Sequence, residues 1–453
     1  MGNVQLPPRF IASPAEWRAP TAAGHFDDVV AVPGSQALTY LEIALAASAE
    51  GPSLLMWPLH SDYLAGVIET LRGVGVDIRE VAGTGPFGPD LVVESPATLA
   101  IDAVLSISQP DLVAPIAVGL ASRASGSVTV TIPESRSRRP MGEVITVLRS
   151  IGCDINDAGR WTVPLTVRGR GHIRGGHVEL DVNRSSQLVQ TLLLAAPRFD
   201  VGLTLRHVGQ PLGSLPDIDM TIEALRRRGV FVDQPTPSEW IVAAGPVRAR
   251  TATIEPDLSL AAPFVAAAMI AGGRVSVPGW PAHSAQPAAQ LAEILVLMGA
   301  RARRRGGALT VTAGAERIIR RACVDVSEIS ELTPILAALA AFADGPSTFT
   351  GLKPRTGNES THIDALVDNL RAIGGEVEVL PDGIRVVPRP LTGGVWRADH
   401  DYHVATAGAL IGLAVPGVTV DDIGSATGDL PEYTKMWEHL VRGSRGRWAE
   451  KNG

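Results

Sequence analysis

The feature that most constrains the fold of this 453-residue chain is an internal repeat with a period of 70 to 77 residues. In five segments a leucine-bearing helical pattern closes on a glycine, the residue best suited to a helix end, and strand-like residues follow. The five glycines are Gly75, Gly152, Gly229, Gly299 and Gly374. A sixth segment, residues 400–440, completes the set. This period is too long for a solenoid and predicts two lobes of three α/β units each.

The composition favours an α/β protein with small side chains in its core. The chain is 45% apolar but only 4% aromatic, which is typical of close helix-to-sheet packing. Its formal net charge of -7 argues against a nucleic-acid or membrane-surface partner. The longest apolar run, residues 262–273, is shorter than the roughly 18 residues that a membrane span needs, and the N-terminus lacks a signal-peptide pattern. We expect a cytoplasmic monomer or weak homo-oligomer that binds a small-molecule substrate.

The cysteines and histidines do not predict a metal or a cofactor. Cys153 and Cys323 lack the spacing of a metal site and are expected to be core thiols rather than a disulfide. His400 and His403 lie three residues apart, but no third ligand accompanies them.

Near the N-terminus a short apolar strand runs into a turn, Pro33-Gly34-Ser35, and then into an apolar helix. Gly34 would give the turn backbone freedom, and Ser35 is a suitable N-cap for a helix that starts near Gln36. The unpaired N–H groups in the first turn of such a helix favour an anionic ligand.

This stretch resembles the N-terminal signature of the 5-enolpyruvylshikimate-3-phosphate (EPSP) synthase family, a Pro-Gly-Ser-Lys-Ser run followed by an arginine on the helix. Here Gln36 occupies the lysine position and Leu41 the arginine position. The resemblance covers nearly the whole chain. It implies a two-lobed inside-out α/β barrel of six ββαβαβ-type repeats, with the ligand cleft between the lobes. One lobe would be discontinuous, residues 1–34 plus 255–453, and the other would comprise residues 35–254.

Two further motifs resemble the acceptor-binding elements of that family. The run SRRPMG matches Arg-Pro-(Ile/Met)-Gly and places Arg139 at a cleft arginine. Ser185, Ser186 and Gln187 match the Ser-Ser-Gln motif, whose serines hold the acceptor phosphate in the family while the glutamine packs at the acceptor ring. Two hydroxyl groups at a helix start also suit an oxyanion on physical grounds.

The later motifs depart from the family pattern. The run SEISELTPI places Glu331 where the family has its catalytic aspartate. The run TGNESTHI keeps Glu359 but has His362 at an arginine position, and DHDYHVAT keeps Asp401 but has His403 at another. A histidine in place of an arginine retains a hydrogen-bond donor and gains a pKa near neutrality.

These departures weaken the expected site for phosphoenolpyruvate (PEP), a small anion that needs several cationic partners. Six positions that are cationic in the family are neutral or titratable here: Gln36, Leu41, Ala114, His362, His403 and Gly428. Each charge-assisted hydrogen bond contributes about 1.5 to 3 kcal/mol, and micromolar affinity corresponds to only about 8 kcal/mol. The sequence therefore predicts weak PEP binding unless other nearby lysines and arginines take over.

Three hypotheses of function remain at this point. The first is an enzyme redirected to transfer or elimination at a hydroxyl of a cyclitol, sugar or sugar phosphate, with acid–base catalysis by Glu331, Glu359, Asp401 and His403. Its substrate-binding residues would be Ser185, Ser186, Gln187, Arg139, Gln36 and His362. The second is a genuine enolpyruvyl (carboxyvinyl) transferase that uses PEP and an acceptor such as shikimate 3-phosphate. The third is a non-catalytic ligand-binding or partner protein.

Overall fold

The computed structural model describes residues 16–96, 99–106, 124–131, 141–182, 186–210, 215–352, 359–428, 430 and 432–442. These residues form helices and mixed sheets, so the α/β part of the expected fold class is confirmed. The α-helices are α1 (Gln36–Ala46), α2 (Asp62–Gly73), α3 (Gly142–Ser150), α4 (Ser186–Ala195), α5 (Pro216–Arg227), α6 (Leu258–Ala271), α7 (Leu291–Leu297), α8 (Thr333–Ala340), α9 (Glu359–Ala372), α10 (Tyr402–Gly412), α11 (Ile423–Ala426) and α12 (Tyr433–Arg442). Short 3-10 helices cover Ala196–Arg198, Pro287–Gln290 and Ser330–Leu332.

The strands alternate with these helices along the chain. They are β1 (Glu16–Arg18), β2 (Phe26–Val29), β3 (Ser53–Met56), β4 (Asp77–Gly85), β5 (Gly88–Glu94), β6 (Leu99–Ser106), β7 (Ala124–Thr131), β8 (Asp154–Asn156), β9 (Leu165–Arg170), β10 (Gly176–Leu180), β11 (Leu203–His207), β12 (Val232–Thr236), β13 (Glu239–Val242), β14 (Thr251–Thr253), β15 (Gly273–Pro278), β16 (Arg301–Arg305), β17 (Ala308–Thr312), β18 (Cys323–Asp325), β19 (Ser347–Thr350), β20 (Glu376–Leu380), β21 (Gly383–Val387), β22 (Val395–Trp396) and β23 (Thr419–Asp421).

The chain divides into two compact units. The central unit comprises Gly34–Glu255, and the discontinuous unit comprises the described residues of Met1–Pro33 and Pro256–Gly453. Within the described residues, each unit holds three sheets. Those of the central unit have the strand orders β14-β3-β5-β4, β6-β7-β9-β8 and β10-β11-β13-β12; those of the discontinuous unit are β16-β17-β15-β2, β18-β19-β21-β20 and β1-β23-β22.

All five four-stranded sheets share one pairing pattern, with a parallel pair at one edge and two antiparallel pairs. An antiparallel pair can be joined by a short turn, whereas a parallel pair needs a crossover. The apolar helices supply crossovers, as in α4 between β10 and β11.

The helices of each unit pack on one another through small and aliphatic side chains. In the discontinuous unit α6, α8 and α10 are mutually in contact and almost wholly buried, and in the central unit α1, α4 and α5 are in contact. Helices with Ala on several faces can approach closely, which explains the low aromatic content of the core.

The glycine pattern of the sequence marks real helix ends. Gly75, Gly152, Gly229, Gly299 and Gly374 each lie two residues after the end of a helix and adopt φ angles of 91°, 102°, 80°, 104° and 94°. An L-residue adopts this left-handed region at a cost, so the repeat period reflects backbone geometry.

The expectation for the two cysteines is half right. Cys153 is buried, and burial raises the pKa of its thiol to about 12. Cys323 is exposed, so its assignment to the core was wrong; it lies on the three-residue edge strand β18, whose first and last residues are both exposed. No helix among the described residues is long and apolar enough to cross a membrane.

A buried ion pair anchors α1 within the central unit. The guanidinium of Arg228, which is 0% exposed, donates from Nε and Nη2 to Glu42 Oε2 at 3.0 and 2.6 Å. Its Nη1 donates to Ser53 Oγ and to the carbonyl oxygen of Arg248, both at 3.1 Å. Helix α1 is thereby fixed to strand β3 and to the end of α5.

Candidate active site

The turn before α1 contains the expected N-cap, but its glycine is required for a different reason from the one predicted. Ser35 is buried and its Oγ accepts from the Leu38 N–H at 3.5 Å, so the predicted N-cap is confirmed. Gly34 does not adopt a positive φ; instead, a Cβ there would overlap the carbonyl oxygen of Trp57. Glycine is therefore needed for close backbone approach rather than for turn freedom.

The two departures from the family signature on α1 have different surroundings. Gln36 is the first residue of the helix and is partly buried. Leu41 is 0% exposed, so the position at which the resemblance expects an arginine belongs to the apolar core. An arginine could not enter that position without burying an unpaired charge.

In the discontinuous unit, the start of α6 is linked to Glu331. Asp257 caps the helix, because its Oδ1 accepts from the N–H groups of Ser259 and Leu260, both at 3.0 Å. Ser259 Oγ donates to Glu331 Oε1 at 3.4 Å. Glu331 lies in the 3-10 turn before α8 and is exposed to solvent. Its carboxylate is therefore held near a helix start and is accessible to a ligand.

Asp401 caps helix α10 and also lies close to His362, another predicted site residue. Its Oδ1 accepts from the Val404 N–H at 2.7 Å and caps α10, while its Oδ2 lies 3.2 Å from His362 Nδ1 on α9. The Nδ1 atom is buried, although the His362 side chain as a whole is 35% exposed. Nδ1 has no hydrogen-bond partner among the described residues, so Asp401 lies within ion-pair distance of the ring without fixing its tautomer.

His403 has a different environment from His362. Its ring meets Tyr402 edge-on at 5.3 Å, and its Nε2 is buried without a hydrogen-bond partner among the described residues. Burial lowers the pKa of His403, and the nearby charge of Asp401 and a backbone hydrogen bond with Ser259 only partly oppose this effect. His403 is therefore neutral at pH 7 and does not replace a permanent cation.

The lowered pKa of His403 predicts a loss of stability in acid. An imidazole whose ordinary pKa is 6.5 binds its proton in the unfolded chain at a higher pH than in the folded one. The free energy of unfolding should fall as pH drops through 6.5 toward the folded pKa, by up to about 1.4 kcal/mol per pH unit. In urea titrations from pH 8 to 5, the free energy of unfolding of His403→Gln should fall less steeply with decreasing pH than that of wild type. The exposed His283→Gln should show the wild-type dependence on pH. Equal slopes in wild type and His403→Gln would contradict a neutral His403.

The structure thus brings Glu331, His362, Asp401 and His403 into one network within the discontinuous unit. Five other predicted site residues lie partly or wholly outside the described residues. Glu359 begins α9, and Ser186 and Gln187 begin α4, but their side chains lie outside the described residues. Arg139 and Ser185 lie outside the described residues altogether.

Sequence reasoning missed the residues that connect this network. Ser259 links Glu331 to His403, Asp257 fixes Ser259, and Tyr402 Oη donates to the Leu260 carbonyl at 2.8 Å. One available signal was Asp257 directly before a long apolar run, which is the pattern of an N-cap. The pairing of α6 with α10 has no local signal.

Comparison with known proteins places the chain in a family. The family profile described as EPSP synthase (3-phosphoshikimate 1-carboxyvinyltransferase) matches residues 21–437. A 3-phosphoshikimate 1-carboxyvinyltransferase of Kocuria rhizophila is 41% identical over 440 residues, which is 95% of this chain and 97% of the relative. The enzyme of that name from Mycobacterium ulcerans is 36% identical over 436 residues, 95% of this chain and 99% of the relative. The chain belongs to the EPSP synthase family.

Solved structures have the same fold. EPSP synthase from Acinetobacter baumannii matches with a TM-score of 0.77 at 20% identity, covering 94% of this chain and 98% of that one. The enolpyruvyl transferase NikO from Streptomyces tendae matches with a TM-score of 0.68 at 19% identity, covering 94% and 96%. The family resemblance of the sequence is confirmed, and the family is one of transferases.

Proposed function

We propose that this protein is an EPSP synthase-family enzyme that transfers or eliminates a group at a hydroxyl of a cyclitol, sugar or sugar phosphate. The observation that carries the proposal is the placement of Asp401 Oδ2 at 3.2 Å from Nδ1 of the partly exposed His362. A carboxylate and an imidazole in this arrangement are suited to general base catalysis. A permanent cation at the same position would bind an anion but could not accept a proton.

In this scheme His362, predicted from sequence to bind the substrate, becomes the base in place of the buried His403. The hydroxyl proton of the substrate passes to Nε2 of His362, and the nearby charge of Asp401 stabilises the imidazolium that forms. Glu331 is the second acid–base group, positioned by Ser259, and Glu359 is proposed to act beside it. Ser185, Ser186, Gln187, Arg139 and Gln36 are proposed to bind the substrate.

The surroundings of the former cation positions support a weak PEP site. Leu41 is part of the core, Gln36 is uncharged, and the lowered pKa of His403 keeps it neutral. The loss of three charge-assisted hydrogen bonds at about 1.5 to 3 kcal/mol each is comparable with the whole free energy of micromolar binding, about 8 kcal/mol.

A second candidate is a genuine carboxyvinyl transferase acting on PEP and an acceptor such as shikimate 3-phosphate. It is favoured by the relatives of 41% and 36% identity, both named 3-phosphoshikimate 1-carboxyvinyltransferase. Under this candidate, other arginines and lysines of the chain would have replaced the lost cations.

Calorimetry separates the two candidates. We expect PEP at millimolar concentration to give no measurable heat of binding, because its anionic groups meet too few cations, and shikimate 3-phosphate with PEP to give no turnover. A thermal-shift screen of cyclitols, sugars and their phosphates should instead reveal a ligand that raises the melting temperature with concentration. Tight PEP binding with turnover would establish the second candidate. A ligand that binds but is never converted would favour a non-catalytic binding protein.

The proposal includes the finer architecture. The two units are taken as the lobes of an inside-out α/β barrel made of six repeats, one lobe near residues 35–254 and the other discontinuous. Three sheets in each unit and the shared pairing pattern support this assignment. A crystal structure in which the helices of either unit lie outside its sheets would contradict this assignment.

A further inference from the structure

Trp57 in the central unit combines a costly backbone conformation with an exposed ring. Its φ angle is 62°, in the left-handed region that bulky residues rarely adopt. Its side chain is 40% exposed, whereas Trp17, Trp240, Trp280, Trp396 and Trp437 are buried. A strained residue persists only where its surroundings hold it, and such residues cluster at functional sites.

The surroundings of Trp57 hold both its backbone and its ring. The Trp57 N–H donates to Oδ1 of Asp90 at 2.9 Å, and Asp90 is 1% exposed. The indole Nε1–H donates to Thr84 Oγ1 at 3.1 Å, and this hydroxyl in turn donates to Asp90 Oδ2 at 3.0 Å. A Cβ on Gly85 would overlap the indole, so the ring lies directly against the backbone there. These contacts hold the indole ring in one orientation at the end of the β4–β5 hairpin.

The backbone at Trp57 lies beside the turn that precedes α1. The Trp57 carbonyl occupies the space that a Cβ on Gly34 would need. Two residues on, the Leu59 N–H donates to Thr39 Oγ1 at 3.1 Å, and that hydroxyl donates to the Ser35 carbonyl at 2.7 Å. Trp57 therefore neighbours the turn that leads to Gln36, one of the proposed substrate-binding residues.

Trp161 is a second exposed tryptophan with a positive φ angle, but its ring contacts a side chain of the same chain. Its φ is 56°, it is 48% exposed, and its N–H donates to the buried Asp157 at 2.8 Å. The guanidinium of Arg149 lies 5.4 Å from the Trp161 ring centroid, so this ring has a cation as its partner. Among the described residues, neither an aromatic ring nor a cation is stacked on Trp57.

We infer that Trp57 is a specificity-determining residue that stacks on the ring of the substrate. This inference rests on the proposed function and narrows it to ligands whose hydroxyls are carried by a closed ring. A rigid, open indole favours a ring, because a ring presents a flat apolar face without losing internal freedom on binding, whereas an open chain does lose it.

The test compares ring and open-chain phosphates by calorimetry. The cyclic probes are glucose 6-phosphate, myo-inositol 1-phosphate and shikimate 3-phosphate, and the open-chain probe is sorbitol 6-phosphate. We expect Trp57→Ala to weaken binding of the preferred cyclic probe about three- to tenfold and to leave the affinity for sorbitol 6-phosphate unchanged. Phe231→Ala removes another exposed aromatic of the central unit, 67% exposed, and should change neither affinity.

A second measurement does not require the alanine variant to fold. With 5-fluorotryptophan incorporated at all eight tryptophans, the 19F signal missing from Trp57→Phe identifies Trp57. The preferred cyclic probe should shift this signal more than that of the deeply buried Trp396.

The outcomes separate this inference from the proposed function. Cyclic probes that bind wild type and Trp57→Ala equally well, with no 19F shift at Trp57, would overturn the role of Trp57 and leave the proposed function intact. If no cyclic probe binds wild type, the proposed substrate class fails and the inference fails with it. If 4-nitrophenyl phosphate binds more tightly than the cyclic sugar and cyclitol probes, and Trp57→Ala weakens that binding, the substrate carries an aromatic ring. That result would overturn the assignment of the substrate to a sugar or cyclitol.

Discussion

Replacing His362 by glutamine is expected to lower turnover by roughly 10²- to 10⁴-fold, the usual contribution of a general base, once a substrate is in hand. Glutamine keeps a polar side chain of similar reach but cannot accept a proton, so substrate affinity should stay within about threefold. The exposed His283→Gln is the matched control and should keep the wild-type rate. Single-turnover kinetics with calorimetric affinities would measure both effects.

A companion variant tests whether Asp401 acts through His362. Asparagine is as good an N-cap as aspartate, so Asp401→Asn should preserve the start of α10 while it removes the charge 3.2 Å from Nδ1. The rate should fall, because the imidazolium that forms during proton transfer loses its counter-charge. A full rate in either His362→Gln or Asp401→Asn would refute the proposed base. Glu331→Gln would then identify the alternative.

Local features of this protein could be predicted from sequence because they depend on neighbouring residues. A glycine after a leucine-bearing helix predicts a left-handed end, and Gly229 adopts φ of 80° after α5. A serine before an apolar helix predicts an N-cap, and Ser35 is one. Comparison with the family's motifs directed attention to Asp401 and His362, but not to their mutual distance.

Long-range features could not be predicted because they depend on how helices from distant parts of the chain meet. Nothing in the run around Ser259 indicates that its hydroxyl reaches Glu331, 72 residues away. The role of Gly34 was misjudged for the same reason, since its constraint comes from Trp57 and not from the turn. Cys323 was misplaced because an edge strand of three residues has no clear burial pattern.

The largest effect on folding is expected at Glu42. Glu42→Ala should lower the free energy of unfolding by about 3 to 5 kcal/mol, because it leaves the guanidinium of Arg228 buried without a counter-charge. Burial already lowers the pKa of Arg228, and the charge of Glu42 opposes that effect. Urea unfolding followed by tryptophan fluorescence would measure the loss, with the exposed Glu69→Ala on α2 as control, expected within about 0.5 kcal/mol of wild type.

The double variant decides whether an unpaired charge is the cause of that loss. Removing both partners with Glu42→Leu and Arg228→Met takes away the charges together, so its cost should be well below the sum of the two single changes. Gln36, a proposed substrate-binding residue, lies on the same helix as Glu42. A double variant that keeps α1 in place should therefore bind the cyclic phosphate probes with near wild-type affinity. Additive costs would mean that Arg228 stabilises the protein through its hydrogen bonds to Ser53 and to the Arg248 carbonyl, independently of its pairing with Glu42.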